Sequence, residues 1–314
     1  VIRIVTPGTR AANDGNWRTA VRWAAMLRGP FRAIVQTTWD SEPCDALIAL
    51  HARRSAASVR AFRERHPGKR IGLVLTGTDL YRDLPASLEA RQSLAAADRL
   101  AVLQDDALRQ LSTAERRRCE VIYQSAVPLA AADKPRGRLD IAVVGHLRGE
   151  KDPETLFRAL AKVPAELPVR VRHIGAALDP RLGQLARRLE RTDPRYVWAG
   201  PLPHGLARIA IRQAHVLVHP SRMEGGANVI AEAVSSGTPV IASRMSGNLG
   251  MLGAAYPGYF PVGEASALAR LLVRACRDPT WLAQLRAACR RRAPLFRPAR
   301  ERACVRRFAA ALLA

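Results

Sequence analysis

The stretch Val216-Leu217-Val218-His219-Pro220-Ser221-Arg222-Met223-Glu224-Gly225-Gly226-Ala227-Asn228-Val229-Ile230-Ala231-Glu232-Ala233 decides the fold. It opens as a short apolar run, turns at Pro220 through a glycine-rich loop, and restarts near Asn228 as a helix. Ser235-Ser236-Gly237-Thr238-Pro239 then leads into a second apolar run, Val240-Ile241-Ala242-Ser243. Strand, loop, helix and strand at this spacing form a unit of parallel sheet. The loop lies at the carboxyl end of its strand, where such sheets bind ligands. The glycines let a ligand approach the backbone closely. A helix starting near Asn228 offers N–H groups and the positive end of its dipole, which suit a diphosphate. Glu224 can accept hydrogen bonds from a sugar's hydroxyls, and Glu232, about two turns into the helix, can reach a ribose diol. The bland alternative is a solvated helix carrying two ordinary glutamates, and the completeness of the pattern argues against it.

Working outward, the same alternation fills the chain. Apolar runs at 2–6, 46–50, 71–75, 100–103 and 121–123 read as strands, with helical patterns at 16–27 and 55–65. Residues 125–138 hold two prolines and few large apolar groups and read as a linker. Strands resume at 141–144, 169–174, 196–198, 216–219 and 240–243, and the chain ends in helices at 265–292 and 298–313. This predicts an α/β protein of two Rossmann-like domains with parallel sheets facing across a cleft. The expected boundaries are 1–130, 138–295, and a terminal helix 296–314 that returns to the first domain.

The chain has 314 residues, with 50 Lys and Arg against 27 Asp and Glu, a formal net charge of +23. Lys69, Lys134, Lys151 and Lys162 are its only lysines, so the positive charge is nearly all arginine. Such a field favours anionic partners: nucleic acid, phosphorylated substrates or acidic lipid. An arginine-heavy composition from a GC-rich genome would look the same. The arginines are spread along the chain, and no aromatic-interleaved basic motif or zinc finger accompanies them, which argues against nucleic acid. Five cysteines without a CxxC pair argue against a disulfide framework or a zinc site and suit a reducing compartment. Val1-Ile2-Arg3-Ile4-Val5 reads as a strand, not a signal peptide, and the missing initial Met points to a short leader that was removed or is not included in the sequence. No apolar run reaches the roughly 18 residues of a membrane span, so the expectation is a soluble cytoplasmic protein without a membrane partner.

The two glutamates separated by seven residues, after Pro220-Ser221 and before Gly237-Thr238-Pro239-Val240, resemble the donor-site signature of the large retaining GT-B family that includes sucrose and mannosyl transferases. Val144-Gly145-His146-Leu147-Arg148-Gly149-Glu150-Lys151 is similar to that family's Gly-Arg-Leu-x-x-x-Lys turn, whose Arg and Lys hold the leaving diphosphate. Lys151 matches; His146 stands where Arg is usual, and Arg148 is the candidate for the displaced Arg. The resemblance implies a UDP-sugar donor, with Glu224 on the hexose, Glu232 on the ribose, and Gly225, Gly226, Ala227 and Asn228 about the phosphates. Leu202, in Gly200-Pro201-Leu202-Pro203-His204, falls where relatives place the base. No DxD-type motif stands where a donor would sit, so protein cations are expected in place of a metal.

The amino-terminal half resembles one subfamily. Leu50-His51-Ala52-Arg53-Arg54-Ser55, Leu75-Thr76-Gly77-Thr78-Asp79-Leu80-Tyr81-Arg82-Asp83-Leu84 and Ser246-Gly247-Asn248-Leu249-Gly250-Met251-Leu252-Gly253 are similar to the selenosugar synthases (SenB) of bacterial selenoneine biosynthesis. That resemblance implies transfer of a hexose, expected to be N-acetylglucosamine, from UDP to selenophosphate, with pathway enzymes as potential neighbours. Arg10, Arg18, His51, Arg53, Arg54 and Arg82 follow strand ends and would suit a small anion, because Arg forks match phosphate oxygens, which is consistent with that acceptor without proving it. The acceptor-side candidates are Asn16, Arg18, Thr19, Arg53, Arg54, Thr76 and Asp79, with His51 a candidate catalytic residue. His51 as a core histidine and Asp79 as a helix cap remain open readings at this level. So do a GT-B transferase acting on a lipid or polysaccharide hydroxyl and a nucleotide-sugar epimerase.

Overall fold

The computed structural model describes residues 1–9, 15–130 and 132–314. Two compact units emerge: Val1–Ser125 with Glu224–Gly226 and Pro298–Ala314, and Ala126–Met223 with Ala227–Arg297. The first unit runs β1 (Ile2–Val5), α1 (Gly15–Leu27), β2 (Ala33–Gln36), β3 (Ala46–Leu50), α2 (Ala56–Arg65), β4 (Arg70–Leu75), α3 (Leu84–Ala86), α4 (Leu88–Ala96), β5 (Arg99–Val102), α5 (Thr113–Arg117) and β6 (Cys119–Val121). Its sheet is parallel throughout, in the order β2-β1-β3-β4-β5-β6. The second unit runs β7 (Leu139–Val144), α6 (Pro153–Leu160), β8 (Val169–Ile174), α7 (Pro180–Thr192), β9 (Tyr196–Trp198), α8 (His204–Gln213), β10 (Val216–His219), α9 (Asn228–Ser235), β11 (Val240–Ser243), α10 (Ser246–Leu252), β12 (Tyr259–Phe260), α11 (Ala265–Arg277) and α12 (Pro279–Arg292). Its sheet is also parallel, in the order β12-β11-β10-β7-β8-β9. The last helix, α13 (Pro298–Leu313), belongs to the first unit.

The predicted two-sheet α/β class holds, and its physical basis is the continuous burial of central strands. Ile2, Ile4, Ile48 and Val74 face α1 and α13 in one cluster with Trp23, Leu27, Phe308 and Leu312. Leu47, Ala49, Leu73 and Leu75 face the other side, with Val59, Phe62 and Leu94. Parallel strands buried on both faces lose their polar alternation, which is why they read as plain apolar runs. Gly72 lets α13 lie close on β4, since a Cβ there would stand 2.7 Å from Phe308 Cε1.

Three local differences from the sequence reading have plain causes. The helix read as 265–292 is two helices, because Asp278 caps the second by accepting from Trp281 N at 2.8 Å and Pro279 begins it. β2 and β12, absent from the sequence reading, each lie at an edge of their sheet: β2 is only half-buried along its length, and β12 is two residues long. The strand expected at 121–123 lies earlier, at Cys119–Val121. All five cysteines are free thiols, and burial pushes Cys289 up to about 11 and Cys119 up to about 12, which leaves both unreactive.

Candidate active site

β7 ends at Val144, and the chain turns through Gly145 to Lys151 at the carboxyl edge of the second sheet. The turn is held from below. Gly175, with φ +154°, lies so close that a Cβ on it would stand 2.0 Å from Gly145 O. His173 is buried beneath the same carbonyl. Gly145 O can only accept, so His173 Nε2 donates to it at 3.3 Å, and Nδ1 accepts from Tyr196 OH at 2.9 Å. His146 Nδ1 accepts from Ala176 N at 3.0 Å, binding this turn to the next one. His146 is exposed at its surface, and partial desolvation of its ring, then the charges of Arg148 and Lys151, lower its pKa, so the residue at the usual Arg position is neutral near pH 7. Arg148 is exposed, with its Nε 4.0 Å from Glu150 Oε2. Lys151 folds back over Gly145, its Cδ 3.5 Å from where a Cβ on Gly145 would be.

Two residues beside Lys151 that carried no assignment in the sequence secure this turn. Asp152 has φ +46°, the left-handed region, and its carboxylate is buried. Asp152 Oδ2 accepts from Thr155 Oγ1 at 2.7 Å and pairs with Arg222 Nε at 3.1 Å. Arg222 N donates to Glu150 O at 2.8 Å. The loop leaving β10 is thus stitched to the Lys151 turn by side chain and backbone together. A left-handed residue with a side chain is a local strain, carried here by those bonds.

α9 begins at Asn228, and Ala227 at its cap supplies no side-chain acceptor, so an external anion would meet the first-turn N–H groups. Glu232 is buried on this helix, and His204 Nε2 donates to its Oε1 at 2.6 Å. Leu202 is half-buried against Ile174, Ala207 and Ala210. Glu224 is half-buried, and Glu224–Gly226 group with the first unit, not the second.

In the first unit Asp79 is fully buried and accepts from Ala52 N at 3.0 Å, Thr76 N at 2.9 Å and Gly77 N at 2.8 Å. Its bonds therefore join the loops after β3 and β4 and do not cap the turn that follows. His51 lies at φ +74° and is buried. Its Nδ1 accepts from Arg54 N at 3.3 Å, so the ring proton sits on Nε2, 3.0 Å from Thr78 Oγ1. Burial lowers the His51 pKa, with Arg54 and Arg53 adding to the effect against Asp79 and Asp83, so the ring is neutral. Asp83 is the centre of charge here: Arg53 Nε is 3.0 Å and Arg82 Nε 3.4 Å from its carboxylate. Burial alone would raise its pKa, but Arg53 and then Arg82 outweigh that and hold it low. The structure thus brings His51, Arg53, Thr76 and Asp79 together and adds Asp83. Asn16, Arg18 and Thr19 stand on the first turns of α1, where Thr19 Oγ1 donates to Gly15 O at 2.8 Å. Arg54 is exposed, and Arg10 lies outside the described residues. Among the described residues no group of three or more His, Cys, Asp or Glu side chains could hold a metal ion, and no helix is long and apolar enough to cross a membrane.

The family described as glycosyl transferases group 1 matches residues 130–296, more than half of the chain. The chain belongs to this family. D-inositol 3-phosphate glycosyltransferase of Segniliparus rotundus is 30% identical to it over 151 residues, 46% of this chain and 31% of that protein. The protein of the same name from Mycobacterium tuberculosis is 29% identical over 221 residues, 62% of this chain and 45% of its own. The chain therefore spans less than half the length of these curated relatives. Sucrose-phosphate synthase from Thermosynechococcus elongatus superimposes with a TM-score of 0.78 at 17% identity, covering 99% of this chain and 98% of that one. Anabaena HepE, solved in complex with UDP-glucose, gives 0.76 at 16%, covering 99% of each. These likenesses place the fold in the GT-B class.

The buried histidine under the group 1 turn makes a measurable prediction. Burial lowers the His173 pKa to about 4, opposed only by its bond to Gly145 O. An unfolded histidine titrates near 6.5, so the folded state binds the proton less readily. Stability from this group is complete above about pH 6.5 and is lost as pH falls toward 4, a total of about 3 kcal/mol. NMR titration of the imidazole should place its midpoint near 4, with the second unit losing urea resistance over the same window. A midpoint near 6.5 would refute the buried neutral ring.

Proposed function

We propose that the chain transfers a hexose from a UDP-sugar to selenophosphate, forming a carbon–selenium bond. In this reading selenium attacks the anomeric carbon as the bond from that carbon to the diphosphate oxygen breaks, and UDP leaves with the electron pair. Water then cleaves selenium from phosphorus, releasing phosphate and leaving a selenosugar. UDP-N-acetylglucosamine is the expected donor and UDP-glucose the alternative. The group 1 match over the second unit supports the nucleotide-sugar donor, as does the bound UDP-glucose of HepE.

The observation that carries the acceptor is the sharing of one buried carboxylate, Asp83, by Arg53 and Arg82. With Arg54 beside them, three guanidiniums face two carboxylates, Asp83 and the buried Asp79, which leaves positive charge at this loop. Arg53 and Arg82 remain accessible, at 43% and 49% side-chain exposure. A selenophosphate anion is already a nucleophile, so positioning outweighs general-base help. His51, neutral and engaged at both nitrogens, fits a part in shaping this loop and orienting the acceptor. Arg54, Asn16, Arg18 and Thr19 would complete the acceptor side. Lys151, Arg148 and the start of α9 would stabilise departing UDP, with Glu224 on the hexose and Glu232 on the ribose. Protein cations would take the place of a metal at the diphosphate. The free thiols fit a reducing cytoplasm.

A second reading has its own support. The curated relatives are named for D-inositol 3-phosphate, and the positive excess at Asp83 would equally hold a phosphorylated hydroxyl acceptor. Mass spectrometry of products decides between them. The protein is given UDP-N-acetylglucosamine with EDTA and either selenophosphate or D-inositol 3-phosphate. A selenium isotope pattern on a sugar mass, undiminished by EDTA, is the expected result. Turnover with the inositol phosphate alone overturns the acceptor and keeps the donor. No turnover with any UDP-sugar overturns both.

A further inference from the structure

The second sheet has one strand that breaks the rule of burial on both faces. β8 reads Val169-Arg170-Val171-Arg172-His173-Ile174, and Arg170 and Arg172 are exposed on one face while Val169, Val171 and His173 are buried on the other. The cause is the path of α8. This helix packs Ala207 and Ala210 with Ile174, near the carboxyl end of β8, and its own last turn reaches the amino end of β7. The amino end of β8 is left uncovered on that face. What remains there is a cavity of about 300 Å³, at the small end of ligand pockets. Arg170, Arg172 and Arg138 line it, with Asp133, Asp140 and Gln213.

The charges in this cavity are unbalanced. Arg138 Nε pairs with Asp140 Oδ1 at 2.9 Å, so the nearer carboxylate is already engaged. Asp140 and Arg170 are register partners across β7 and β8, as are Ala142 and Arg172. Neither the Arg170 nor the Arg172 side chain has a hydrogen-bond or ion-pair partner among the described residues. The two guanidiniums stand on the same face two residues apart, about 7 Å along the strand. Lys134 adds to the field beside the cavity: its Nζ donates to Arg212 O at 2.5 Å and to Ala214 O, with no carboxylate in contact among the described residues. Burial is the main cause that brings its pKa down to about 8, with the nearby charges of Arg286 and Arg212 adding to it.

We propose that this cavity is an anion-binding site for a small molecule bearing two phosphoryl groups, held by Arg170 and Arg172 with Arg138. It opens at the amino ends of β7 and β8, the opposite edge of the sheet from Lys151, so it is separate from the candidate donor site. Guanidinium forks suit phosphoryl oxygens, and two of them on one strand face suit a pair. A bound ligand would bridge β8 to residues 133–138, the segment that leads into β7.

Calorimetric titration of the full chain with pyrophosphate, in the presence of saturating UDP, tests the site. One saturable site is expected, with the dissociation constant raised at least tenfold in R170A/R172A. The control R290A/R291A removes the same charge from exposed positions on α12 and should change it less than twofold. No saturable binding overturns the proposal, as does competition by UDP. An equal loss in the two double variants also overturns it, since only the general positive field would then be acting. Competition by fructose 1,6-bisphosphate would mark an organic bisphosphate as the ligand, and its absence the free anion; either outcome supports the site.

Discussion

Replacing Lys151 by alanine should lower kcat/KM for the UDP-sugar by about a hundred- to a thousandfold, with most of the loss in kcat. The expectation rests on where the ammonium stands and when it is needed. Lys151 follows the carboxyl end of β7 and folds back over Gly145. Its turn is stitched by Asp152 and Arg222 and supported from below by His173. A cation carried on a turn held that firmly has little backbone to reorganise as charge builds on the departing diphosphate, so its stabilisation grows toward the transition state. A group binding substrate and transition state equally would raise KM and leave kcat alone. Lys151→Arg should recover part of the rate, because the charge is kept while its geometry changes. UDP binding should weaken far less than turnover. A Lys151→Ala protein with kcat within threefold of wild type would remove Lys151 from the diphosphate.

The parts of this arrangement that could be read in the sequence are those set by neighbours along the chain. The strands at Ala46–Leu50, Val169–Ile174, Tyr196–Trp198, Val216–His219 and Val240–Ser243 coincide with their apolar runs, because each is bounded by residues that end a strand. Glu232 falls on the helix its spacing implied, and Lys151 on the turn its family resemblance implied. The missing pieces are long-range. A local cap was one of the two readings open for Asp79, yet one of its bonds reaches Ala52, 27 residues away. His173 lies within a run that read only as a strand, and its role appears once β8 pairs with β7 beneath Gly145. Asp152 and Arg222 meet across three crossovers, and nothing local marks an aspartate in a left-handed turn as the partner of a distant arginine. The break at Asp278-Pro279 was the opposite case: the signal was local, but the apolar period ran through it.

Glu301→Ala should destabilise the first unit by about 3–5 kcal/mol, the range for removing one partner from a buried charged network. Glu301 is on α13 with its side chain fully buried. Oε1 accepts from Arg22 Nε at 3.0 Å and Trp23 Nε1 at 3.1 Å, and Oε2 accepts from Ser125 N at 2.7 Å and Ser125 Oγ at 2.5 Å. One carboxylate therefore joins α1, the residue that closes the first stretch of the first unit, and the helix that returns to it near the end of the chain. Alanine would leave four donors without their acceptor, three of them deeply buried, each costing roughly 1–3 kcal/mol when unsatisfied. Its sequence setting hid this role. Among the arginines of Pro298–Leu313 a glutamate reads as part of a solvated face. Yet Glu301 precedes Val305 by four and Phe308 by seven, the spacing of the buried stripe. Trp23 makes the measurement direct, since its indole touches the carboxylate and its fluorescence reports loss of that contact during urea unfolding. Glu301→Gln keeps the shape and one acceptor oxygen while turning a donor toward another donor, so it should lose less than alanine and still fold. A loss under about 1 kcal/mol in the alanine variant would fall within what a single neutral hydrogen bond contributes. It would mean that hydrophobic packing by Val305, Phe308 and Leu312, and not the carboxylate, holds the returning helix.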